Sequence, residues 1–510
     1  MTSAGDVRTS DATTVTAPVS YVRTRSLFLR ALGAVYLAAF LSLHWQASGL
    51  WGHDGLLPAA SYLERAREAL GDDALWRVPT VFWLDASDDA LRAVGAVGAV
   101  SAVLLMAGLV PLAATVACWI LYLSLCGVGQ LFLGYQWDAL LLETGVLAIL
   151  WSPPAWRLGG PHVREPSRIV LWLVRWLLFR LLFASGVVKL ASGDPTWWSL
   201  TALAVHYQTQ PLPSWTSWYA NLLPLWLQKA SCAVLFVIEL ALPLLIPFGR
   251  RARLVAFAGF VALQVGIGAT GNYGFFNVLT IVLCIPLLDD AVLAHLPWPR
   301  GGPPRVPGAS GTPASEGRGR VAVEVAAAIL LLSLSVPMTI AQLTGLSATS
   351  VPPAAFLLRA LAPLRLSSTY GLFAVMTTTR PELTIEGTAD GTDWRPYVFR
   401  WKPGPLDRRP PIAGLGMPRL DWQMWFDALH VERMLASGGR GGSLITPALL
   451  ARLRERSPSV LDLLAGDPLD GKPPIALRWR LDEYRFTDPA ERTASGDWWA
   501  RRLLHEEPVR

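Results

Sequence analysis

The sequence has few charged residues and carries none of the common catalytic motifs. Only 16% of its 510 residues are charged, whereas 52% are hydrophobic, and its mean hydropathy is +0.38. This composition excludes an ordinary soluble enzyme and predicts a membrane protein. The net charge of +6 comes from Arg and Lys scattered around apolar segments. Because they form no basic helix or basic-aromatic repeat, we expect no nucleic-acid partner.

Cysteine and asparagine are also scarce. The four cysteines all lie in apolar segments, where they are typical of small buried hydrophobic residues: Cys118, Cys126, Cys232 and Cys284. There is no CxxC, no zinc spacing, no P-loop, no HExxH and no GxGxxG, so we expect neither a metal nor a cofactor. None of the three asparagines lies in an N-x-Ser/Thr sequon, so nothing in the sequence indicates a glycosylated lumenal protein.

Nine apolar stretches are long enough to cross a hydrocarbon core of about 30 Å. They lie at roughly 27–43, 91–109, 112–134, 138–151, 169–190, 229–248, 253–270, 274–288 and 321–345. We therefore predict a mainly α polytopic bundle of about nine transmembrane helices, formed by residues 27–299 with a last helix at 321–345. Residues 1–26 are predicted to be a disordered cytoplasmic N-terminus. The Pro/Gly/Ser-rich residues 300–320 predict a flexible cytoplasmic linker.

The arginines between these stretches predict an orientation. With nine spans, the clusters before the first helix, between the fourth and fifth, between the sixth and seventh, and before the ninth all fall on one side. By the positive-inside rule this side is cytoplasmic. The C-terminal residues 346–510 are then extracytoplasmic, and the Ala/Arg/Gly-rich composition indicates a bacterial cytoplasmic membrane.

The C-terminal region changes character. The string ELTIEGTADGTDWRPYVFRWK alternates apolar and polar residues around a turn at Ala389–Gly391, which predicts a β-hairpin. IALRWRLDEYRFT at 475–487 alternates in the same way, whereas residues 445–466 have helical spacing. We therefore predict that residues 346–510 form a soluble, strand-rich α+β domain.

Six ionisable residues lie inside the apolar stretches, and such residues normally pair with one another or line a wet cavity. They are Asp138, Glu143, Arg175, Arg180, Lys189 and Glu239. One interpretation is a buried structural pair of Arg180 with Glu143 or Glu239. The other is a polar cavity open to the outer side, reached by Arg180 and Lys189.

Lys189 has two interpretations of its own. It lies near the outer end of its predicted helix, so its side chain could extend to the interface, which is the interpretation that the sequence favours. A lysine desolvated beside apolar walls can instead act as a base.

The predicted outer loops are rich in aromatic and hydrogen-bonding side chains. The candidates are Trp197, Trp198, His206, Tyr207, Gln210, Asn272, Tyr273 and Asn277. They are typical of an interfacial aromatic belt, or they form a recognition surface for an apolar or extended polypeptide.

A second candidate group lies in the C-terminal region. Its members are Trp394, Arg419, Asp421, Trp422 and Gln423. In PRLDWQMWFDALH, Trp422, Trp425 and Phe426 share a helical face. This pattern predicts a core helix at whose start Arg419 and Asp421 fix a loop.

Three long strings, in this order, carry a resemblance. They are WLLFRLLFASGVVKLASGDPTWWSLTAL, GNYGFFNVLTIVLCIPLLDD, and IEGTADGTDWRPYVFRWKPG with PRLDWQMWF. They resemble the lipase maturation factor family of polytopic membrane proteins. The resemblance implies a multi-span domain followed by a C-terminal domain on the lumenal or equivalent side. It also implies a non-enzymatic maturation factor for secreted proteins, possibly lipases, with membrane lipids and secreted clients as partners. Where the family has a proline-histidine pair before PRLDWQ, this chain has Leu415-Gly416.

A second resemblance supports an alternative function. FASGVVKL followed by a Trp-containing turn is similar to the segment of vitamin K-dependent carboxylase-like membrane domains that carries their catalytic lysine, here Lys189. This resemblance implies a membrane-embedded enzyme that uses Lys189 as a base on a lipid or quinone-like substrate. Those enzymes also use an earlier histidine, whereas residues 136–145 contain Asp138 and Glu143 and no histidine.

Overall fold

The computed structural model describes residues 19–158, 164–294, 318–350, 352–438 and 445–509, so the predicted N-terminal tail up to residue 18 and most of the 300–320 linker lie outside the described residues. The first part of the chain forms six helices. They are α1 (Val22–Trp51), α2 (Ala59–Leu70), α3 (Ala74–Arg77), α4 (Asp88–Ala107), α5 (Pro111–Val128) and α6 (Gln136–Trp151). Pro111 begins α5 instead of kinking a span, because a first-turn residue needs no backbone N–H.

Helices α1 and α4 pack closely because glycines face the partner helix. A Cβ added at Gly98 of α4 would come within 2.4 Å of the Phe40 ring of α1. A Cβ at Gly33 of α1 would lie 2.8 Å from the backbone nitrogen of Met106. Small residues at helix contacts let backbones approach in this way. Any larger side chain at Gly98 would push the two helices apart.

The middle of the chain forms eight helices. They are α7 (Arg168–Ala191), α8 (Pro195–Trp198), α9 (Ala202–Thr209), α10 (Trp215–Asn221), α11 (Leu225–Phe236), α12 (Arg250–Thr270), α13 (Phe275–Cys284) and α14 (Asp290–Leu293). Helix α11 continues into a π-helical segment, Val237–Ala241, and a 3₁₀ segment, Leu242–Leu245. Pro243 lacks the N–H that would bond the carbonyl of Glu239, so the α-helical pattern cannot continue there.

Helix α15 (Arg318–Thr344) packs on α7 and is followed by α16 (Pro352–Leu361). Helices form at all nine predicted apolar stretches. Seven of the described helical segments are long and apolar enough to cross a bilayer, namely α1, α4, α5, α7, Leu225–Leu245, α12 and α15. The other two predicted spans correspond to α6 and α13, which have 16 and 10 residues. Most residues of both are buried by the surrounding helices.

The C-terminal region combines helices with one small sheet. Its helices are α17 (Arg419–Ala436), α18 (Thr446–Arg454), α19 (Pro458–Leu461) and α20 (Pro489–Ser495), and its strands are β1 (Pro381–Thr388), β2 (Arg395–Pro396), β3 (Ala476–Phe486) and β4 (Trp499–Val509). The antiparallel order is β2-β1-β3-β4.

The predicted hairpin is present as β1–β2, and the predicted strand at 475–487 is β3. The predicted helical stretch at 445–466 is divided into α18 and α19, because the Ser457 side chain caps a new helix. Strand β4 was not predicted, since WARRLLHEEPV alternates weakly.

A buried ion pair joins the C-terminal region to the helical bundle. The guanidinium of Arg419, the first residue of α17, donates to both carboxylate oxygens of Asp138 on α6, at 2.7 and 2.8 Å. Both side chains are fully buried. The Tyr122 hydroxyl donates to the same carboxylate at 2.6 Å, and Gln46 of α1 accepts from the Arg419 backbone amide at 2.8 Å. The start of α17 is therefore fixed against α1, α5 and α6.

A second anchor lies on the sheet. Arg380, just before β1, donates to the carbonyls of Gln208 at 2.7 Å and Pro211 at 2.9 Å, and also to that of Gln210. Glu382 pairs with Arg380 at 2.7 Å. The sheet is thereby attached to the loop that follows α9.

Removing one partner of the Arg419–Asp138 pair should be strongly destabilising. Arg419→Met leaves a buried carboxylate without its cation, which typically costs about 3–5 kcal/mol. We expect the neutral double variant Arg419→Met/Asp138→Asn to recover much of this loss, because no buried charge then remains. The midpoint of thermal unfolding in detergent, followed by tryptophan fluorescence, measures both effects.

The control is Arg395→Met. Its exposed pairs with Asp393 and Asp470 should contribute little to stability, because solvent screens them. A double variant as unstable as the single one would contradict the electrostatic explanation.

Candidate functional site

A cavity of about 550 Å³ lies among α7, α9, α11, α12 and α13. Its walls are mainly apolar, and the segment around Phe373 closes part of it. The polar and ionisable side chains on its wall are Ser185, Lys189, His206, Tyr207, Ser231, Glu239, Gln264, Thr270, Tyr273, Asn277 and Thr280. Seven of the nineteen predicted site residues line the cavity, namely Lys189, Trp197, His206, Tyr207, Glu239, Tyr273 and Asn277.

Lys189 and Glu239 form an ion pair on the cavity wall. The Lys189 ammonium donates to the two carboxylate oxygens of Glu239 at 2.9 and 2.8 Å and to the carbonyl of Ser185 at 3.1 Å. It also lies 5.5 Å from the centre of the Trp197 ring. Both charged side chains are buried. The sequence favoured a Lys189 side chain that extends to the interface, whereas the structure shows this side chain buried and bound to Glu239.

The position of Glu239 follows from the irregular end of α11. It lies in the π-helical segment, where the wider turn changes the direction of a side chain relative to an α-helix. Such π segments often occur at functional sites. The sequence signal is Pro243, four residues after Glu239.

Arg180 does not reach the cavity, contrary to the prediction of a shared outward pocket. It pairs with Glu143 at 2.5 Å, as one of the two sequence interpretations proposed. Glu143 also accepts from the Tyr370 hydroxyl at 2.6 Å and the Ser368 amide at 3.2 Å. This network holds the segment before β1 against α6 and α7.

The remaining intramembrane groups are also engaged away from the cavity. Asp138 binds Arg419 at the junction. Arg175 donates to the carbonyl of Pro286 at 3.1 and 2.9 Å and to the Tyr21 hydroxyl at 3.0 Å. Of the six predicted residues, only Lys189 and Glu239 therefore line the cavity.

The predicted outer-loop residues do not form one exposed surface. Trp197, His206, Tyr207, Tyr273 and Asn277 line the cavity. Trp198 is 65% exposed and does not line it.

The other two members of this group are buried at the junction between the bundle and the C-terminal region. Asn272 donates to the carbonyl of Pro411 at 2.9 Å and accepts from the amide of Ala413 at 2.8 Å. Gln210 lies beside the carbonyls that bind Arg380. The eight residues are therefore divided: the C-terminal region covers Gln210 and Asn272 at the junction, five residues line the cavity, and Trp198 is exposed.

A hydrogen-bonded chain runs from the cavity into this junction. His206 Nε2 lies 3.1 Å from the Tyr273 hydroxyl. That hydroxyl donates to Gln210 Oε1 at 2.9 Å, and Gln210 donates to the Thr270 carbonyl at 2.7 Å. With its one proton committed to Gln210, Tyr273 accepts from His206, which assigns the Nε2–H tautomer to the ring. Burial, and next the nearby ammonium of Lys189, lower the pKa of His206 to about 4.

Two buried amides on the cavity wall have no partner. The carbonyl oxygens of Gln264 on α12 and Asn277 on α13 form no hydrogen bond within the described residues. Their side chains are only 5% and 6% exposed. Asn277 was predicted as a site residue, whereas Gln264 was missed. Its signal is a single amide inside an otherwise apolar stretch.

Apart from Trp394, the predicted C-terminal group lies at or beside the junction. Asp421 accepts from the amides of Trp401 and Lys402 at 2.8 and 2.9 Å, so it fixes a loop as expected. Trp422 packs 4.8 Å from the Trp137 ring and 6.0 Å from the Tyr273 ring.

The last two members of the group differ in position. Gln423 accepts from the Tyr135 hydroxyl at 2.8 Å. Trp394 lies apart on the hairpin, where Arg478 covers its ring at 4.4 Å.

These features define a multi-pass membrane protein whose C-terminal domain is fixed to the bundle beside an apolar cavity. The chain matches the lipase maturation factor transmembrane domain over residues 23–295 and the lipase maturation factor C-terminal domain over residues 366–508. It belongs to the lipase maturation factor family.

Three relatives illustrate the match. The chain is 35% identical to lipase maturation factor 2 of Gallus gallus, over 95% of this chain and 80% of the relative. It is 35% identical to lipase maturation factor 2 of Homo sapiens, over 94% and 82%. It is 36% identical to lipase maturation factor 1 of Bos taurus, over 94% and 87%. No solved structure matches the chain. The carboxylase-like alternative receives no support from these comparisons.

Acid should destabilise the fold through His206. The ring has a pKa of about 4 in the folded protein and 6.5 ordinarily, so protonation favours the unfolded chain. Neutral His206 contributes fully to the free energy of unfolding above pH 6.5. This contribution, about 3 kcal/mol, is lost as the pH falls towards and below 4.

The variant His206→Gln keeps a side-chain donor for Tyr273 but cannot titrate. We expect its unfolding midpoint to fall less between pH 7 and pH 4 than that of the unmodified protein. The exposed His53 supplies the control His53→Gln. An equal fall in all three proteins would contradict the assignment.

Proposed function

We propose that this protein is a membrane-bound maturation factor that assists the folding of secreted proteins, lipases among them, and that it catalyses no reaction itself. The observation that carries this proposal is that both domains of the lipase maturation factor family are present in one chain. The buried Arg419–Asp138 pair supports it further, because the pair holds the C-terminal domain on the bundle. A fixed extramembrane domain is suited to holding a client close to the membrane.

The contacts of Lys189 favour this function over a membrane-embedded base. A general base needs a free lone pair and access to its proton donor. The Lys189 ammonium instead donates to Glu239 and to a backbone carbonyl. Removing its proton would leave the Glu239 carboxylate buried without a cation, which is costly. Lys189 is therefore assigned a structural role.

We infer nine membrane crossings, with α6 and α13 as the two short ones, a cytoplasmic N-terminus and an extracytoplasmic C-terminal domain. The distribution of charge supports this orientation. Arg25, Arg250 and Arg253 gather at the end of the bundle where α1 begins. The opposite end of α1 contacts the C-terminal domain through Ser42 and Gln46. The composition favours a bacterial cytoplasmic membrane, whereas the named relatives are from vertebrates.

We further infer that clients bind at the free edge of strand β4. This strand of 11 residues is at the end of the sheet and pairs only with β3 among the described strands. Leu503 and Leu504 on it are 50% and 40% exposed. An open strand edge offers unpaired backbone groups to an extended polypeptide, and apolar side chains beside it add contact area. An incompletely folded secreted protein supplies such a segment.

Deletion of the gene tests the function as a whole. We expect exported lipases to be secreted with several-fold lower specific activity, because their polypeptides leave the membrane incompletely folded. Quantitative proteomics of the medium, combined with activity measurements on the same samples, separates amount from activity. Unchanged abundance and activity of every exported hydrolase would refute the proposal.

Charges at the edge of β4 test the client surface. The double variant Leu503→Lys/Leu504→Lys keeps the strand but discourages strand addition. We expect it to insert and fold normally and to restore less lipase activity to the deletion strain than the unmodified protein. The control is Ile475→Lys, at an apolar residue 65% exposed outside the strands. Equal complementation by both variants would exclude the β4 edge as the client surface.

A further inference from the structure

The cavity opens between α11 and α12 on the outside of the bundle. Only 17% of the residues in the apolar windows of these two spans are buried, compared with 67% in α7. The spans touch near Gly259, where an added Cβ would lie 2.2 Å from the side chain of Leu242. Two turns further along α12, a Cβ added at Gly266 would meet no atom within 4 Å. The space beside Gly266 is part of the cavity, and Val234, which lines it from α11, is 57% exposed.

This opening faces the region where lipid surrounds the bundle. Helices α11 and α12 are both long and apolar enough to cross the membrane, counting the continuation of α11 to Leu245. A molecule dissolved in the bilayer can therefore enter sideways, without passing through water. The apolar wall, formed by residues such as Leu181, Leu263 and Phe276, suits a hydrocarbon chain.

The charges of the cavity wall cancel. Lys189 and Glu239 neutralise each other, and no other Asp, Glu, Lys or Arg lines this cavity in the described part of the chain. An anionic or cationic head group would lose its hydration without gaining an unpaired counter-charge. The wall therefore favours a neutral ligand.

The unpartnered amides supply the polar contacts that such a ligand needs. A buried carbonyl oxygen without a hydrogen bond is costly, and the more so at membrane depth. Asn277 of α13 lies against Gly268 of α12, since its Nδ2 would be 3.2 Å from a Cβ added at Gly268. Gln264 is one turn before Gly268 on the same face of α12. The two amides thus lie near each other. Each offers both donors and an acceptor, which complements hydroxyl and ester groups.

We propose that this cavity binds a neutral, single-chain acylglycerol from the bilayer. Its acyl chain lies along the apolar wall between α11 and α12, and its ester and hydroxyl groups bond to Gln264 and Asn277. The volume of about 550 Å³ is within the range of about 300–1,000 Å³ that is common for small-molecule sites. This site is independent of the proposed client surface on β4, which lies on the sheet of the C-terminal domain.

Lipid retention by the full chain tests this proposal. The purified protein is incubated with monoolein, oleate or lysophosphatidylcholine in nanodiscs and washed, and retained lipid is measured by mass spectrometry. We expect saturable retention of monoolein in preference to the anionic and zwitterionic lipids. In the variant Gln264→Leu/Asn277→Leu, we expect roughly tenfold weaker retention, with unfolding no easier than in the unmodified protein because the replaced oxygens have no partner.

Filling the cavity supplies a second variant. Gly266→Phe places a ring in the open space and should abolish retention. Its control is Gly319→Phe, in the first turn of α15, where an added Cβ also meets no atom within 4 Å. Absence of saturable monoolein retention, preference for oleate or lysophosphatidylcholine, or retention unaffected by Gln264→Leu/Asn277→Leu would each overturn the proposal. If Gly266→Phe does not fold, the amide variant alone decides.

Discussion

The ion pair between Arg419 and Asp138 is the contact on which the arrangement of the two domains depends. Its partners are 281 positions apart in sequence and fully buried. The attraction between two buried charges offsets the free-energy cost of their desolvation only when the geometry is good and further hydrogen bonds are made. Here Tyr122 and the carbonyl of Phe132 supply those bonds. Neither domain can satisfy its own charge alone, so the junction forms as a unit.

The other intramembrane pairs follow the same logic at different places. Arg180 and Glu143 bind the segment around Ser368 and Tyr370, which leads from the last span to the sheet. Lys189 and Glu239 join α7 to the π-helical end of α11. Each pair therefore attaches one segment to the bundle. Breaking such a pair would leave a buried charge without its partner, which is strongly destabilising. Charges that are rare in lipid are used here to fix chain segments in position.

The sequence predicted the elements better than the contacts between them. Apolar stretches predicted every long helix, and alternation predicted strands β1 and β3. Both patterns are visible in the sequence because periodicity is a local property. The sequence could not predict that Asp138 pairs with Arg419, since the spacing of two residues far apart in sequence does not determine whether they are in contact. It also suggested an exposed surface for Gln210 and Asn272, because polar residues in loops are ordinarily solvated. The C-terminal domain covers them, which is a tertiary effect.

The same distinction separates the cavity from the junction. At the junction, the buried charge of Arg419 is matched by the buried charge of Asp138. In the cavity, the pair of Lys189 with Glu239 is matched, but the oxygens of Gln264 and Asn277 are not. Because these two amides line a cavity beside a gap between α11 and α12, they leave a polar position open to a molecule other than the chain itself. Neutrality and lateral access together restrict that position to an uncharged molecule from the bilayer.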